Sequence, residues 1–432
     1  MSPTAEALPI AERTRRRITR RLVPFLFLLY VVAYLDRVNL SYAGLEMTKE
    51  LHFSNEVFGY GSGIFFIGYV LLEIPGTLLV ELWSARKWIS RIMVTWGFFA
   101  ALTGLIHTKQ EFYWARFLLG VAEAGFFPGV IVYLSHWFRR EDRGRAMAMF
   151  SSAIPLSQVL GSPISGYLMQ IHWLGYSGWR WLLVLEGLPS VILGIVTFYY
   201  LTDRPEQAKW LPDDEKAWLA DQLAKEKQSF SPAQKSDVLR AFFRLDVIIL
   251  TLVYFLSTTF NYGLQFWLPK MLQKLSGFTT LQVTLISAIP FLIAWPAMIF
   301  TGWNSDRTKE RRLHTAATMF IAAIGLALTL TTGNVILGLA AFTIATIGIM
   351  SRMAPFWAMP STILSGSAAA AVVGSINCFG NLGGYLGPSV VGYLSEATHS
   401  YQSGIAFLAA AAFLGGVLVL FVRPSSAATS RK

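Results

Sequence analysis

The chain has little charge, few histidines and almost no cysteine. Only 14% of its 432 residues are charged, whereas an ordinary soluble domain carries roughly 25%. The single cysteine, Cys378, excludes an intramolecular disulfide. The six histidines show no zinc-binding spacing, and the sequence contains no G-x-x-x-x-G-K-[ST] loop for ATP. We therefore expect no metal site, no cofactor, no ATP-driven step and no enzymatic activity.

Apolar residues, in contrast, are abundant. They make up 54% of the chain, and the mean hydropathy is +0.49. A soluble protein of this composition would have more apolar surface than one core could bury, whereas lipid can cover an apolar exterior. The net charge of +11 comes from short basic clusters between apolar runs, a pattern typical of membrane-protein loops and not of nucleic-acid binding. The composition predicts an integral membrane protein.

Twelve apolar runs are long enough to cross a hydrocarbon layer of ~30 Å, which takes about 20 helical residues. The first run follows the basic stretch Arg13–Arg21 and is too long for the apolar region of a cleavable signal peptide. The twelve predicted membrane helices lie near 22–45, 57–80, 88–106, 112–137, 146–170, 180–201, 247–269, 282–303, 314–332, 335–360, 369–394 and 403–422.

The loop charges predict the orientation. Basic clusters precede the first run and follow the second, fourth, eighth and twelfth runs, while the loops on the other side contain few Lys or Arg. The positive-inside rule then places both termini in the cytoplasm, with the chain in the cell inner membrane.

A polar connection, 202–244, divides the twelve helices into two groups of six. Pro212 followed by three acidic residues predicts a short surface helix in this linker. The predicted segments are a basic cytoplasmic N-terminus (1–21), a first six-helix bundle (22–201), the linker (202–244), a second bundle (245–422) and a cytoplasmic tail (423–432).

The two groups share a loop pattern, an acid at a helix end followed by basic residues. The residues of the two copies are Glu81, Arg86 and Lys87, and Asp306, Arg307 and Arg311. Duplicated halves with a site between them are a transporter design. The loop charges either form a gate that opens as the halves move or only fix the topology, and both roles are compatible.

These loops resemble the signature of the major facilitator superfamily, although Glu81 stands where an Asp is usual. Further motifs resemble the anion:cation symporter family within it, including Tyr34-Leu-Asp36-Arg37-Val-Asn39, Arg116 to Gly129, Trp179 to Gly187, Asn261 to Pro269 and Asn377 to Pro388. The resemblance covers roughly residues 20–422. It implies an all-α integral membrane protein with the major facilitator fold and proton-driven uptake of organic anions.

Four charged residues lie deep in predicted membrane helices, where ionisable groups are costly and usually functional. Arginine binds carboxylates bidentately and keeps its charge, so Arg37 and Arg116 are the candidate substrate-binding residues. A carboxyl group can change protonation with its surroundings, so Asp36 and Glu123 are the candidate proton-coupling residues. Arg116 and Glu123 share one helix face, and a structural salt bridge between them is the alternative.

Neutral polar residues could complete the pocket. Tyr69 is a candidate by resemblance, and two pairs each share a helix face at a spacing of four residues: Asn261 with Gln265, and Asn377 with Asn381. Hydrogen bonding between helices is the alternative for both pairs.

Three other charged residues remain open. For Glu73 and Glu186 we favour hydrogen bonds between helices over a role in transport. Arg352, which the family resemblance does not predict, either contacts substrate or extends its charged end towards the cytoplasmic surface.

The predicted function is proton-coupled symport of a small organic anion by alternating access. The anion is expected to be a carboxylate such as tartrate, a sugar acid or an aromatic acid. The alternative is a proton-coupled exporter of drugs or metabolites on the same fold. Expected partners are the anion, protons and membrane lipids, with a monomeric chain and no nucleic acid. The sequence does not identify the substrate. It also leaves open whether sodium replaces protons and whether the carrier exchanges substrates instead of taking them up.

Overall fold

The computed structural model describes residues 9–229, 240, 242–360 and 366–423, and every regular element in them is helical. The first half contains α1 (Ile10–Glu50), α2 (Asn55–Leu82), α3 (Ala85–Thr103), α4 (Lys109–Glu123), α5 (Phe126–Ser135), α6 (Arg140–Ser151), α7 (Ala153–Leu168) and α8 (Gly178–Tyr200). The linker contains α9 (Asp213–Ser229). The second half contains α10 (Leu245–Ser276), α11 (Thr280–Thr308), α12 (Arg312–Leu328), α13 (Val335–Ser351), α14 (Met353–Ala358), α15 (Gly366–Asn381), α16 (Gly383–Ala397) and α17 (Gln402–Val419).

Each half crosses the membrane six times. In the described part of the chain, nine helices or joined helix pairs are long and apolar enough to span a bilayer. Three further passes complete the set: α3, which begins with basic residues, and the interrupted pairs α6–α7 and α15–α16. The predicted all-helical membrane fold is therefore confirmed.

The outer surface is apolar and the interior contains charge. On α2, Leu71, Ile74 and Leu78 are more than half exposed, whereas Tyr69 and Glu73 on the opposite face are buried. This is the reverse of a soluble amphipathic helix. The exposed leucine and isoleucine face is suited to lipid, and the buried face lines the contact between the two halves.

Two helix boundaries differ from the predicted ones. The first helix begins earlier than the predicted residue 22, because α1 begins at Ile10 and includes the basic stretch Arg13–Arg21. The predicted fourth helix is broken between α4 and α5, where Gly125 has a φ of +83°. Pro128 has no N–H to donate to the carbonyl of Ala124, which favours a break at this point. The break ends α4 at Glu123.

The halves meet at the end of the bundle where α2 begins, here called the Asn55 end. The Asn55 N–H donates to a carboxylate oxygen of Glu396 at 3.0 Å, and the rings of Phe58 and Trp267 pack edge to face at 5.4 Å. The opposite end, which carries the basic loops, is called the basic end. Among the described residues, the hydrogen bonds that join the halves lie between the Asn55 end and the pair Glu73–Asn377.

The linker helix α9 is attached to the first half. Glu215 at its start is fully buried and pairs with Arg13 at 3.0 Å and with Arg17 at 3.1 Å. Near its end, Glu226 pairs with Arg143 at 2.7 Å. These ion pairs fasten α9 to α1 and α6, so the linker helix is part of the N-terminal assembly.

Candidate functional site

An ion pair between α1 and α4 forms the centre of the site. The Arg37 guanidinium bonds to the Glu123 carboxylate and donates a second hydrogen bond to the Tyr262 hydroxyl at 3.2 Å. Counting ~1.5 Å per residue, Arg37 and Glu123 both lie about 20 Å from the Asn55 end. Arg37 thus joins an acid of the first half to a phenol of the second half, deep in the membrane.

Arg116 lies beside this pair, and within the described ranges no counterion is bonded to it. Its side chain is 2% exposed, and Nε and Nη2 are buried without a hydrogen-bond partner among the described residues. Its guanidinium lies 5.0 Å from the centre of the Phe65 ring, and that of Arg37 lies 5.6 Å from the same ring. The two candidate substrate-binding arginines are therefore brought together. The predicted alternative, a bond between Arg116 and Glu123, does not form in the described residues.

Asp36 points away from Arg37 into the first half. It accepts hydrogen bonds from Ser190 at 2.9 Å and from Asn39 at 3.4 Å. It also interacts electrostatically with Arg116. Glu186 lies in the same buried cluster and accepts a bond from Ser165 at 3.4 Å. Asp36 is therefore hydrogen-bonded within the first half near Arg116, and Glu186 is hydrogen-bonded between helices.

Glu73 forms a second contact between the halves. Its carboxylate accepts a hydrogen bond from the Asn377 amide of α15, and the other carboxylate oxygen is buried without a partner among the described residues. The Tyr254 hydroxyl donates to the Asn377 side-chain oxygen at 3.3 Å. Asn381 also lies near Glu73. The predicted pair Asn377 and Asn381 therefore faces a buried acid at the junction of the halves.

The other predicted polar residues, Tyr69, Gln265 and Asn261, differ in their burial and in their contacts. The Tyr69 ring lies 5.8 Å from the Arg37 guanidinium. Gln265 is buried, and both polar atoms of its side chain lack hydrogen-bond partners within the described ranges. Asn261 is half-buried on α10 beside Tyr262. Of these three residues, Tyr69 is the one whose ring lies against Arg37 in the described part of the chain.

The loop residues pair within their own halves or, for the first copy, also with the start of the linker. Glu81 bonds to His136 at 2.7 Å and pairs with Arg204 at 3.7 Å, while the Arg86 backbone N–H donates to Asp203 at 2.8 Å. In the second copy, Asp306 pairs with Arg311 at 2.6 Å. Lys87 and Arg307 lie against tryptophan rings, at 5.7 Å from Trp83 and 5.5 Å from Trp303.

The site also contains aromatic residues that the sequence did not single out. Tyr262 holds Arg37, Tyr254 holds Asn377, and Phe65 lies against both arginines. Tyr262 lies between Asn261 and Gln265 in the sequence, so the motif that drew attention to those two residues already contained it. Phe65 and Tyr254 belong to apolar runs and gave none.

Charged side chains are thus buried where two helical halves meet, inside an exterior that suits lipid, and this arrangement is typical of a membrane carrier. The sequence comparisons identify which carriers these are. The chain belongs to the Major Facilitator Superfamily, whose family model matches residues 26–388.

Several characterised or named proteins resemble the chain along nearly its whole length. A putative tartrate transporter of Agrobacterium vitis is 46% identical over 94% of both chains. The putative metabolite transport protein NicT of Pseudomonas putida is 39% identical over 94% of this chain and 93% of its own. A quinolone resistance transporter of Acinetobacter baumannii is 36% identical over 94% of both. These relatives bear out the resemblance to the anion:cation symporters.

Solved structures show the same fold. A bacterial homologue of the human lysosomal transporter Spinster, in an inward-facing and occupied conformation, has a TM-score of 0.73 at 16% identity and covers 93% of this chain and 94% of its own. A D-xylose–proton symporter has a TM-score of 0.71 at 15% identity, with 94% of this chain and 98% of its own covered. The chain is therefore a multi-pass transporter of the superfamily.

Proposed function

We propose that this protein is a proton-coupled symporter that takes up a small organic carboxylate across the cell inner membrane, with both termini in the cytoplasm. The observation that carries the proposal is the buried Arg37–Glu123 ion pair beside Arg116, which bonds to no counterion in the part of the chain that the structure describes. Relatives that are named as tartrate transporters support a carboxylate substrate.

The pair explains how proton and anion binding are linked. Glu123 occupies the guanidinium that a substrate carboxylate needs. A proton on Glu123 removes its charge, weakens the bond to Arg37 and leaves two cations, Arg37 and Arg116, facing the site. Because a bidentate bond between arginine and a carboxylate is strong in a buried setting, the protonated carrier favours the anion. Loss of the proton restores the internal pair and releases the substrate.

The arrangement of the halves supports alternating access. Contacts between the halves close the Asn55 end, and Glu73–Asn377 is the cross-half bond nearest the basic end among the described residues. We assign the basic end to the cytoplasm, so this conformation is the one open inwards. The loop clusters around Glu81 and Asp306 then lie at the open end, where they would meet when the carrier faces outwards.

The proposal is tested with the Glu123→Gln variant in proteoliposomes. We expect the variant to lose substrate-driven proton movement while it keeps binding or exchange of the carboxylate, because glutamine cannot titrate. Tartrate, a sugar acid and an aromatic acid serve as the probes. Glu111→Gln is the matched control, since Glu111 lies on the same helix and half of its side chain is exposed. Proton-coupled uptake that is unchanged in Glu123→Gln would overturn the assignment.

Proton-coupled export of drugs is the second candidate, because the quinolone resistance transporter is 36% identical to this chain. The two arginines disfavour a simple cation as its substrate. The two functions differ in direction and can be separated in the same vesicles. Carboxylate accumulation driven by an inward proton gradient supports symport, whereas quinolone efflux driven by that gradient without carboxylate accumulation supports export.

A further inference from the structure

A third arginine, Arg352, lies in the second half at the joint between α13 and α14. The 17 residues of α13 separate Arg352 from the Asn55 end, so Arg352 lies about 25 Å from that end. Arg37 lies about 20 Å deep, so Arg352 is displaced from it by about one helical turn towards the basic end. Glu73, at a similar count along α2, lies level with Arg352.

Arg352 is buried and has no anionic partner in the described residues. Its exposed fraction is 5%, and Nε and Nη1 are buried without hydrogen bonds to the described parts of the chain. The guanidinium faces the rings of Tyr254 at 5.5 Å and Phe356 at 5.3 Å. An arginine that extends towards the membrane surface would expose its charged end, and Arg352 does not. A buried cation in this setting calls for an anion.

Tyr254 connects Arg352 to the central site. It interacts electrostatically with both Arg352 and Arg37, and its hydroxyl bonds to Asn377, which bonds to Glu73. Cations of the two halves therefore flank the same phenol. Arg37 acts on it from the first half, with Arg116 beside Arg37 at the Phe65 ring, and Arg352 faces it from the second half.

We propose that the substrate is a dicarboxylate, with one carboxylate held by Arg37 and Arg116 and the other by Arg352. This inference rests on the proposed carboxylate transport and adds the substrate class. A monocarboxylate can neutralise the cations of one half only. A dicarboxylate neutralises both sets and links the two halves, so its binding favours the conformational change that carries it across.

The test compares two ligands that differ by one charge, tartrate and its monoamide, on the purified full chain and in proteoliposomes. We expect the wild-type protein to bind tartrate about tenfold or more tightly than the monoamide, because a buried arginine–carboxylate bond is lost with the amide. Arg352→Gln should remove this preference and leave monoamide binding unchanged, and Arg352→Lys should restore part of it. Lys309→Gln is the control, since it removes an exposed cation of the same half.

A second measurement separates binding from folding. Removing an unpaired buried charge should not lower the melting temperature of the ligand-free protein, whereas the extra stabilisation by tartrate over the monoamide should disappear. Equal wild-type affinity for the two ligands, or an equal loss of both in Arg352→Gln, would overturn the dicarboxylate proposal and leave carboxylate transport standing. Failure of the wild-type protein to bind any carboxylate would overturn both.

Discussion

Replacing Gly120 by alanine should disturb the site without touching any of its charged groups. Gly120 lies where α4 crosses α2, and a Cβ there would overlap the carbonyl oxygen of Phe65 and lie 2.8 Å from its carbonyl carbon. These are backbone atoms, so no side-chain rotation relieves the contact. The helices must separate at the residue whose ring lies against both Arg37 and Arg116.

The free-energy cost of overpacking can be compared with the helix stabilisation that alanine provides. Overpacking costs about 1–3 kcal/mol, and overlap with backbone atoms favours the upper end. Alanine in place of glycine in a helix contributes up to about 1 kcal/mol in the opposite direction. We therefore expect the free energy of unfolding to fall by about 2 kcal/mol. Carboxylate uptake should fall by about tenfold or more, because displacements near 1 Å can cost large factors in rate at a preorganised site.

The assays are thermal unfolding of the purified protein and carboxylate uptake in proteoliposomes. Gly144→Ala is the matched control, because Gly144 is an exposed helical residue and a Cβ there meets nothing within 4 Å. The control should gain up to about 1 kcal/mol and keep its uptake. A Gly120→Ala protein with the stability and uptake of Gly144→Ala would refute the packing argument.

Two further predictions concern the ends of the bundle. Arg180 donates to the carbonyl oxygens of Gly104 at 3.1 Å and Ile106 at 2.8 Å and pairs with Glu50. Arg180→Met should therefore lower the free energy of unfolding by about 2–3 kcal/mol in a thermal unfolding experiment. An unchanged melting temperature would contradict this. Burial lowers the pKa of His136 below 6.5 despite its bond to Glu81. Stability is therefore lost as the pH falls below 6.5. The melting temperature should depend less on pH in His136→Gln than in the wild-type protein, and an unchanged dependence would contradict this.

The buried charges show how far sequence reasoning reaches. Arg37, Arg116 and Glu123 were identifiable because charged residues stand out in apolar runs. Their pairing was not, since Arg116 and Glu123 share a face of α4 but the bond to Glu123 comes from α1. Successive residues on a helix point about 100° apart. Asp36 consequently turns to Ser190 while its neighbour Arg37 turns to the site.

Contacts between residues that are far apart in the chain could not be predicted from the sequence either. Glu73 bonds to Asn377 across 304 positions, and nothing in either local pattern specifies the other. Likewise, the loop signature predicted a charge cluster at Glu81 but not that His136 and Arg204 would supply its partners. Which residues meet at these places depends on how the helices cross and how the halves are apposed.

By itself, the sequence determined the membrane setting, the helical class and which charged residues lie deep in the helices. Those properties depend on composition, hydrophobic length and local motifs, which act over one helix at a time. Only the tertiary structure decided that Arg37 neutralises Glu123, that Arg116 bonds to no counterion among the described residues, and that Arg352 lies buried against Tyr254 in the other half. Contacts between helices distant in the chain are set by packing, which local periodicity does not encode.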